Sequence, residues 1–205
     1  MPLVRSVCVY CGSSPGVNPA FASAATAFGA EMARAGVRLV YGGGSLGLMG
    51  AVARGVLDNG GQVTGIIPRF LVQKERMLTD VQDHVVTDDM HERKRLMFDK
   101  ADAFVALPGG IGTLEELVEQ LTWAQLGRHE KPILLANLDG FWSPLVALLD
   151  HMRSEGYIRA TMPVGYLVAD RVEDILPALE AAAVRASADG TPAGEVLEPE
   201  VLRKM

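Results

Sequence analysis

Short apolar runs closed by glycine-rich or polar turns alternate with helix-length segments along almost the whole chain, and this alternation narrows the fold most. Strands are predicted at residues 4–11, 38–41, 63–67, 84–87, 103–107, 133–137 and 165–168. Helices are predicted at 19–35, 46–59, 90–100, 113–126, 141–155 and about 173–186. Asn18-Pro19 supplies a capping residue followed by proline at the first helical position, and Gly36 supplies the stop. Asp89 followed by Glu92 reads as a capping box. Residues 69–83 are more charged and less regular. A repeated β-then-α order predicts a parallel sheet with helices on both faces. The fold class is therefore α/β, a Rossmann-like doubly wound sheet in one domain over residues 1–188, with 189–205 as a loose, Pro- and Glu-rich tail.

Ligands of such sheets bind beyond the carboxyl ends of the strands. Four strands end there in turns: Gly12-Ser13-Ser14, Gly42-Gly43-Gly44-Ser45, Pro68-Arg69 and Pro108-Gly109-Gly110. Gly42-Gly43-Gly44-Ser45-Leu46-Gly47 satisfies the spacing of a dinucleotide fingerprint. It follows the second strand rather than the first, and Pro68-Arg69 stands where an acidic residue belongs. Arg69 keeps a 2′-phosphate open, and close backbone approach is the plainer reading of these glycines. Pro108-Gly109-Gly110-Ile111-Gly112-Thr113 is the stronger loop, because it joins an apolar strand to a helix whose N-terminus offers free N–H groups and partial positive charge. No Lys-Ser/Thr follows it, which sets it apart from a P-loop.

Glu115 and Glu116 open the helix after this loop, where acids are ordinary. With Leu114, Leu117, Val118 and Leu121 taken as the buried stripe, Glu116 borders the core, and an acid beside a phosphate cradle suggests another task. Met90, Arg93, Lys94 and Met97 share one helical face, so the two basic residues either meet a ligand anion or extend their stems to solvent. His91 has no second ligand at metal spacing, and no metal or cofactor is expected.

A formal charge of −6 does not favour nucleic acid or a membrane surface as partner. Residues 1–20 lack a long apolar core and no run of about 18 apolar residues occurs, so neither a secretory signal nor a spanning helix is expected. Cys8 and Cys11 fall three apart on a strand and point to opposite faces, which disfavours a disulfide; buried thiols in a reducing cytoplasm are expected.

Pro108-Gly109-Gly110-Ile111-Gly112-Thr113-Leu114-Glu115-Glu116 resembles the PGGxGTxxE signature of the Lonely guy (LOG) family of cytokinin-activating phosphoribohydrolases. Gly42 to Gly50, Asp89-Met90-His91-Glu92-Arg93-Lys94 and Leu121-Thr122-Trp123-Ala124-Gln125-Leu126-Gly127 are similar to further family segments, and the resemblance spans about residues 4–185. It implies cleavage of the N-glycosidic bond of a purine nucleoside 5′-monophosphate, AMP or an N6-modified form, to free base and ribose 5-phosphate. It implies Arg93 and Glu116 as the catalytic pair. Gly109, Gly110, Gly112, Thr113, Leu114 and Glu115 would contact the substrate, and Glu75, Lys94 and Thr122 would line the nucleotide pocket. The flank of Glu75, Lys74-Glu75-Arg76, departs from the Pro-Arg-Glu of plant members. A homodimer is implied as well.

In that chemistry a carboxylate near C1′ stabilises positive charge on the sugar and takes a proton from water, a role for Glu116. Arg93 stays protonated and would orient Glu116 and bind an anion or hydroxyl. Relatives of this kind often carry the label lysine decarboxylase, but no lysine here sits in a recognisable Schiff-base setting. The alternative from another class is a non-catalytic carrier of a phosphorylated cofactor or nucleotide built on the same loop.

Overall fold

The computed structural model describes residues 2–74 and 76–189. The tail expected from 189 onward therefore lies, beyond Asp189 itself, outside the described residues, as does Glu75. Seven parallel strands form one sheet: β1 (Ser6–Tyr10), β2 (Arg38–Tyr41), β3 (Val63–Pro68), β4 (Asp83–Thr87), β5 (Ala103–Ala106), β6 (Ile133–Ala136) and β7 (Leu167–Ala169). The helices are α1 (Pro19–Arg34), α2 (Gly47–Leu57), α3 (Met90–Asp99), α4 (Ile111–Gln125), α5 (Ser143–Ser154) and α6 (Ile175–Asp189). The strand order β4-β3-β2-β1-β5-β6-β7 means that the chain builds outward from β1, then returns to lay β5 on its other side. The sheet thus changes direction between β1 and β5, and a ligand crevice opens at such a point.

Strand alternation sorts the core into two layers. Val7, Val9, Leu39, Tyr41 and Val105 face one side and pack with Phe28 and Met32 of α1, Val52 and Val56 of α2, and Leu179 of α6. Cys8, Tyr10, Val40 and Phe104 face the other side and pack with Met97 of α3, Leu117 and Leu121 of α4, and Leu149 of α5. Cys8 and Cys11 fall in opposite layers and are not bonded to each other, as their spacing predicts. On the first side α1 and α2 lie backbone to backbone: a Cβ on Gly29 would strike the Val52 carbonyl, and one on Gly55 the Thr26 carbonyl.

The predicted elements are all present, with shifted ends. The consequential shift is in α4, which starts at Ile111 rather than 113, so Gly112 lies inside its first turn. Its buried face also differs from the expectation. Thr113, Glu116, Leu117, Gln120 and Leu121 are buried, whereas Val118 is 43% exposed and Leu114 is half-buried. Apolarity marks what the core would accept. Here α4 is rolled so that polar residues near its start face the sheet's carboxyl edge. Three short 3-10 turns, Arg69–Leu71, Leu138–Gly140 and Val172–Asp174, were not foreseen.

Candidate functional site

The loop after β5 sits in the crevice between β1 and β5. The Gly12 N–H donates to the Pro108 carbonyl at 3.1 Å and ties the turn after β1 to it. Gly109 is pressed against the side chain of Thr113, so that a Cβ there would overlap Oγ1, and Thr113 is itself buried. Gly110 and Gly112 look outward: a Cβ on either would meet nothing within 4 Å. Gly110 is the N-cap of α4 and supplies no side-chain cap. The first helical bond runs from Leu114 N–H to the Gly110 carbonyl at 3.0 Å. The N–H groups of Ile111, Gly112 and Thr113 are thus without a carbonyl partner among the described residues and border open space. Free N–H groups at a helix start that border open space form a cradle able to receive an anion.

The second glycine loop is built for a different purpose. The N–H groups of Leu48 and Met49, at the start of α2, donate to the Gly12 carbonyl at 3.0 and 3.3 Å. The donors that a dinucleotide pyrophosphate would use are already engaged. Gly42 is needed for another reason: a Cβ there would run into Nη2 of Arg93 and come within 3.1 Å of Met49 Sδ. Gly43 has φ +78 and lies against Ile66 and Ile67 of β3. Close approach is therefore the correct reading of these glycines. The seat that Gly42 and Met49 form for Arg93 has no signal in the sequence, because it joins residues about fifty positions apart.

Arg93 reaches that seat from α3, whose start is capped by Asp89 as predicted, while Glu92 reaches back to the N–H before the cap rather than to that of the cap itself. Asp89 Oδ1 accepts the Glu92 N–H at 2.8 Å, and Glu92 Oε2 accepts the Asp88 N–H at 2.9 Å. The Glu92 N–H holds the Asp89 carboxyl below its ordinary pKa, so the cap stays ionised. The Arg93 side chain is buried, and its Nη1 lies 3.6 Å from Glu116 Oε1 on α4. Its Nε is buried with no hydrogen-bond partner among the described residues. The inward reading of the α3 basic face holds for Arg93. Removing one member of such a buried pair costs about 3–5 kcal/mol, so the two side chains hold each other in place.

Lys94, the next residue, is held by two carboxylates: its Nζ is 2.8 Å from Glu115 Oε1 and 2.9 Å from Glu119 Oε1. Burial works against its charge, but the two carboxylates outweigh burial and raise its pKa. A Schiff-base lysine needs the opposite shift. Thr122 lies further along α4, exposed, with its hydroxyl donating to the Val118 carbonyl at 2.8 Å. Leu114 packs its side chain on the second core layer. The structure thus brings together the cradle, Arg93 and Glu116, with Lys94 and Glu115 beside them, while Glu75 lies outside the described residues. Its neighbours Arg76 and Met77 reach the second glycine loop, where Ser45 N–H donates to the Arg76 carbonyl at 3.0 Å. Among the described residues no three His, Cys, Asp or Glu side chains gather in a metal-binding cluster.

The chain matches the family model described as "Possible lysine decarboxylase" over residues 49–179. It is 50% identical over 154 residues to the rice (Oryza sativa subsp. japonica) protein named cytokinin riboside 5′-monophosphate phosphoribohydrolase LOG, covering 75% of this chain and 64% of the relative. It is 46% identical over 174 residues to the rice protein named probable cytokinin riboside 5′-monophosphate phosphoribohydrolase LOGL1, covering 85% of this chain and 78% of the relative. Among solved structures, the molybdenum cofactor binding protein of Rippkaea orientalis superposes with a TM-score of 0.64 at 22% identity, over 86% of this chain and 96% of that one, a likeness of fold. With the cradle, the Arg93–Glu116 pair and these matches in hand, the chain belongs to the Lonely guy (LOG) family.

Proposed function

We propose that this chain hydrolyses the N-glycosidic bond of purine nucleoside 5′-monophosphates, AMP or its N6-modified forms, to the free base and ribose 5-phosphate. The observation that carries this reading is the buried Arg93–Glu116 pair, 3.6 Å apart on α3 and α4, next to the glycine cradle at the start of α4. The names of the rice relatives agree with it. The phosphate rests on the N–H groups of Ile111, Gly112 and Thr113, and this remote grip places the ribose. The Glu116 carboxylate faces the positive charge that grows at C1′ as the bond to the base breaks. It takes the proton of the water whose oxygen bonds to C1′, and the base leaves with the bond's electron pair and a proton from solvent. Arg93 fixes the carboxylate and offers donors to a ribose hydroxyl or the phosphate.

The test is base release from AMP, N6-isopentenyl-AMP and adenosine. Each charged hydrogen bond contributes about 1.5–3 kcal/mol, so kcat/KM for adenosine should fall at least about 10²-fold below that for AMP. Equal turnover of adenosine would remove the cradle from the argument. Binding of AMP without base release would make the chain the carrier of a phosphorylated cofactor or nucleotide.

A homodimer belongs to the same proposal. Val118, Leu126, Leu148, Met152, Tyr157 and Met162 leave apolar area exposed on α4 and its C-cap, on α5 and on the segment after α5. Light scattering at micromolar concentration should give twice the chain mass of 21.9 kDa, and the single-chain mass would refute it. We also propose a cytoplasmic setting, supported by the buried thiols Cys8 and Cys11, which form no disulfide. No helix among the described residues is long and apolar enough to cross a membrane.

A further inference from the structure

The catalytic pair is a contact between two helices, so its geometry depends on what holds α3 to α4. Besides the core layer that Met97 shares with Leu117 and Leu121, two contacts among the described residues do this. Near the carboxyl end of α3, Phe98 meets Trp123 of α4 edge to face, with ring centroids 5.3 Å apart. Nearer the pair, Lys94 Nζ bridges Glu115 and Glu119 at 2.8 and 2.9 Å. Lys94 follows Arg93 in the chain and Glu115 precedes Glu116, so this bridge flanks the catalytic contact on both helices.

The two carboxylates of the bridge are not equivalent. The Glu115 side chain is 54% exposed, where water competes for its charge and an ion pair contributes little. The Glu119 side chain is 22% exposed and that of Lys94 is 12% exposed. Glu119 Oε2 is buried with no hydrogen-bond partner among the described residues, so the charge of this carboxylate is answered by Lys94 through Oε1. Losing Glu119 would leave Lys94 largely buried with its exposed partner alone.

We infer that Glu119 is a positioning residue: through Lys94 it locks α3 against α4 and so sets the Arg93–Glu116 geometry that hydrolysis requires. The inference rests on the proposed reaction for its kinetic consequence, but not for its structural one. A misplacement of about 1 Å at a catalytic group costs up to about 10² in rate.

The experiment uses the isosteric variant Glu119→Gln in the full chain. Turnover of AMP, AMP affinity by calorimetry, and amide hydrogen exchange along α3 are measured against wild type. We expect kcat to fall about tenfold or more, AMP affinity to change less than about twofold, and exchange in α3 to quicken while α1 and α2 are unchanged. Lys94→Met combined with Glu119→Gln should lower kcat no further than the worse single variant, because both break one link. A kcat within about twofold of wild type would overturn the inference. So would an affinity loss matching the loss of rate, which would make Glu119 a nucleotide contact, or multiplying effects in the double variant. Should wild type release no base, the proposed function falls, and the lock is then judged on α3 exchange, where an unchanged pattern in Glu119→Gln overturns it.

Discussion

Glu116→Gln should bind AMP and fail to cleave it. The variant keeps the shape of a side chain whose Oε1 lies 3.6 Å from Arg93 Nη1 and removes its charge. Loss of a general base costs on the order of 10²–10⁴ in rate, and loss of the charge that faces the cationic sugar adds to it. A role confined to the helix terminus would be worth only about 0.3–1 kcal/mol of stability, with turnover almost unchanged. Some stability should be lost in either case, because Arg93 is buried and a neutral amide answers its charge less well. Affinity for AMP should hold or improve, since no carboxylate then repels the phosphate. Arg93→Ala should lose both rate and affinity, and the double variant should be far from additive if the pair acts as a unit. The measurement is adenine release and AMP affinity for the three proteins. A folded Glu116→Gln variant with more than about a tenth of wild-type turnover, above the range for a lost general base, would remove Glu116 from the reaction.

The second large effect is expected at the cradle. Gly112→Val should raise KM for AMP by about 10- to 10²-fold, the value of one charged hydrogen bond lost or crowded. The fold should survive. Gly112 lies in the first turn of α4, its φ is not positive, and a Cβ there meets nothing within 4 Å. Any effect therefore comes from the ligand's side of the loop. Gly112→Ala should fall between the two. An unchanged KM in folded Gly112→Val would show that the phosphate sits elsewhere.

Much of this was legible in the chain because it depends on local rules. The cap at Asp89, the stop at Gly36 and the period-two strands fix elements from neighbouring residues. The glycine junction between β5 and α4 was legible for the same reason, since strand, glycines and helix start are contiguous. What escaped the reading is long-range. The roll of α4 that buries Gln120 and exposes Val118 follows from how the helix packs, which apolar spacing alone does not encode. Gly42 reads from the sequence as a point of close approach, and only the folded chain reveals that the group approaching it is the Arg93 side chain. The bridge from Lys94 to Glu119 links residues on separate helices, 25 positions apart, and nothing in the spacing pairs them.

The Gly12 carbonyl, which takes up the Leu48 and Met49 N–H groups at the head of α2, has an electrical consequence for the mouth. Of the helices that begin along this edge of the sheet, α2 and α4 meet at the turn of Gly12, and each would present a positive pole there. One pole is quenched by a backbone oxygen and the other, at α4, is left bare. The mouth is therefore unipolar. A ligand with one terminal charge can be anchored at that end alone, leaving its uncharged portion to be placed by contour.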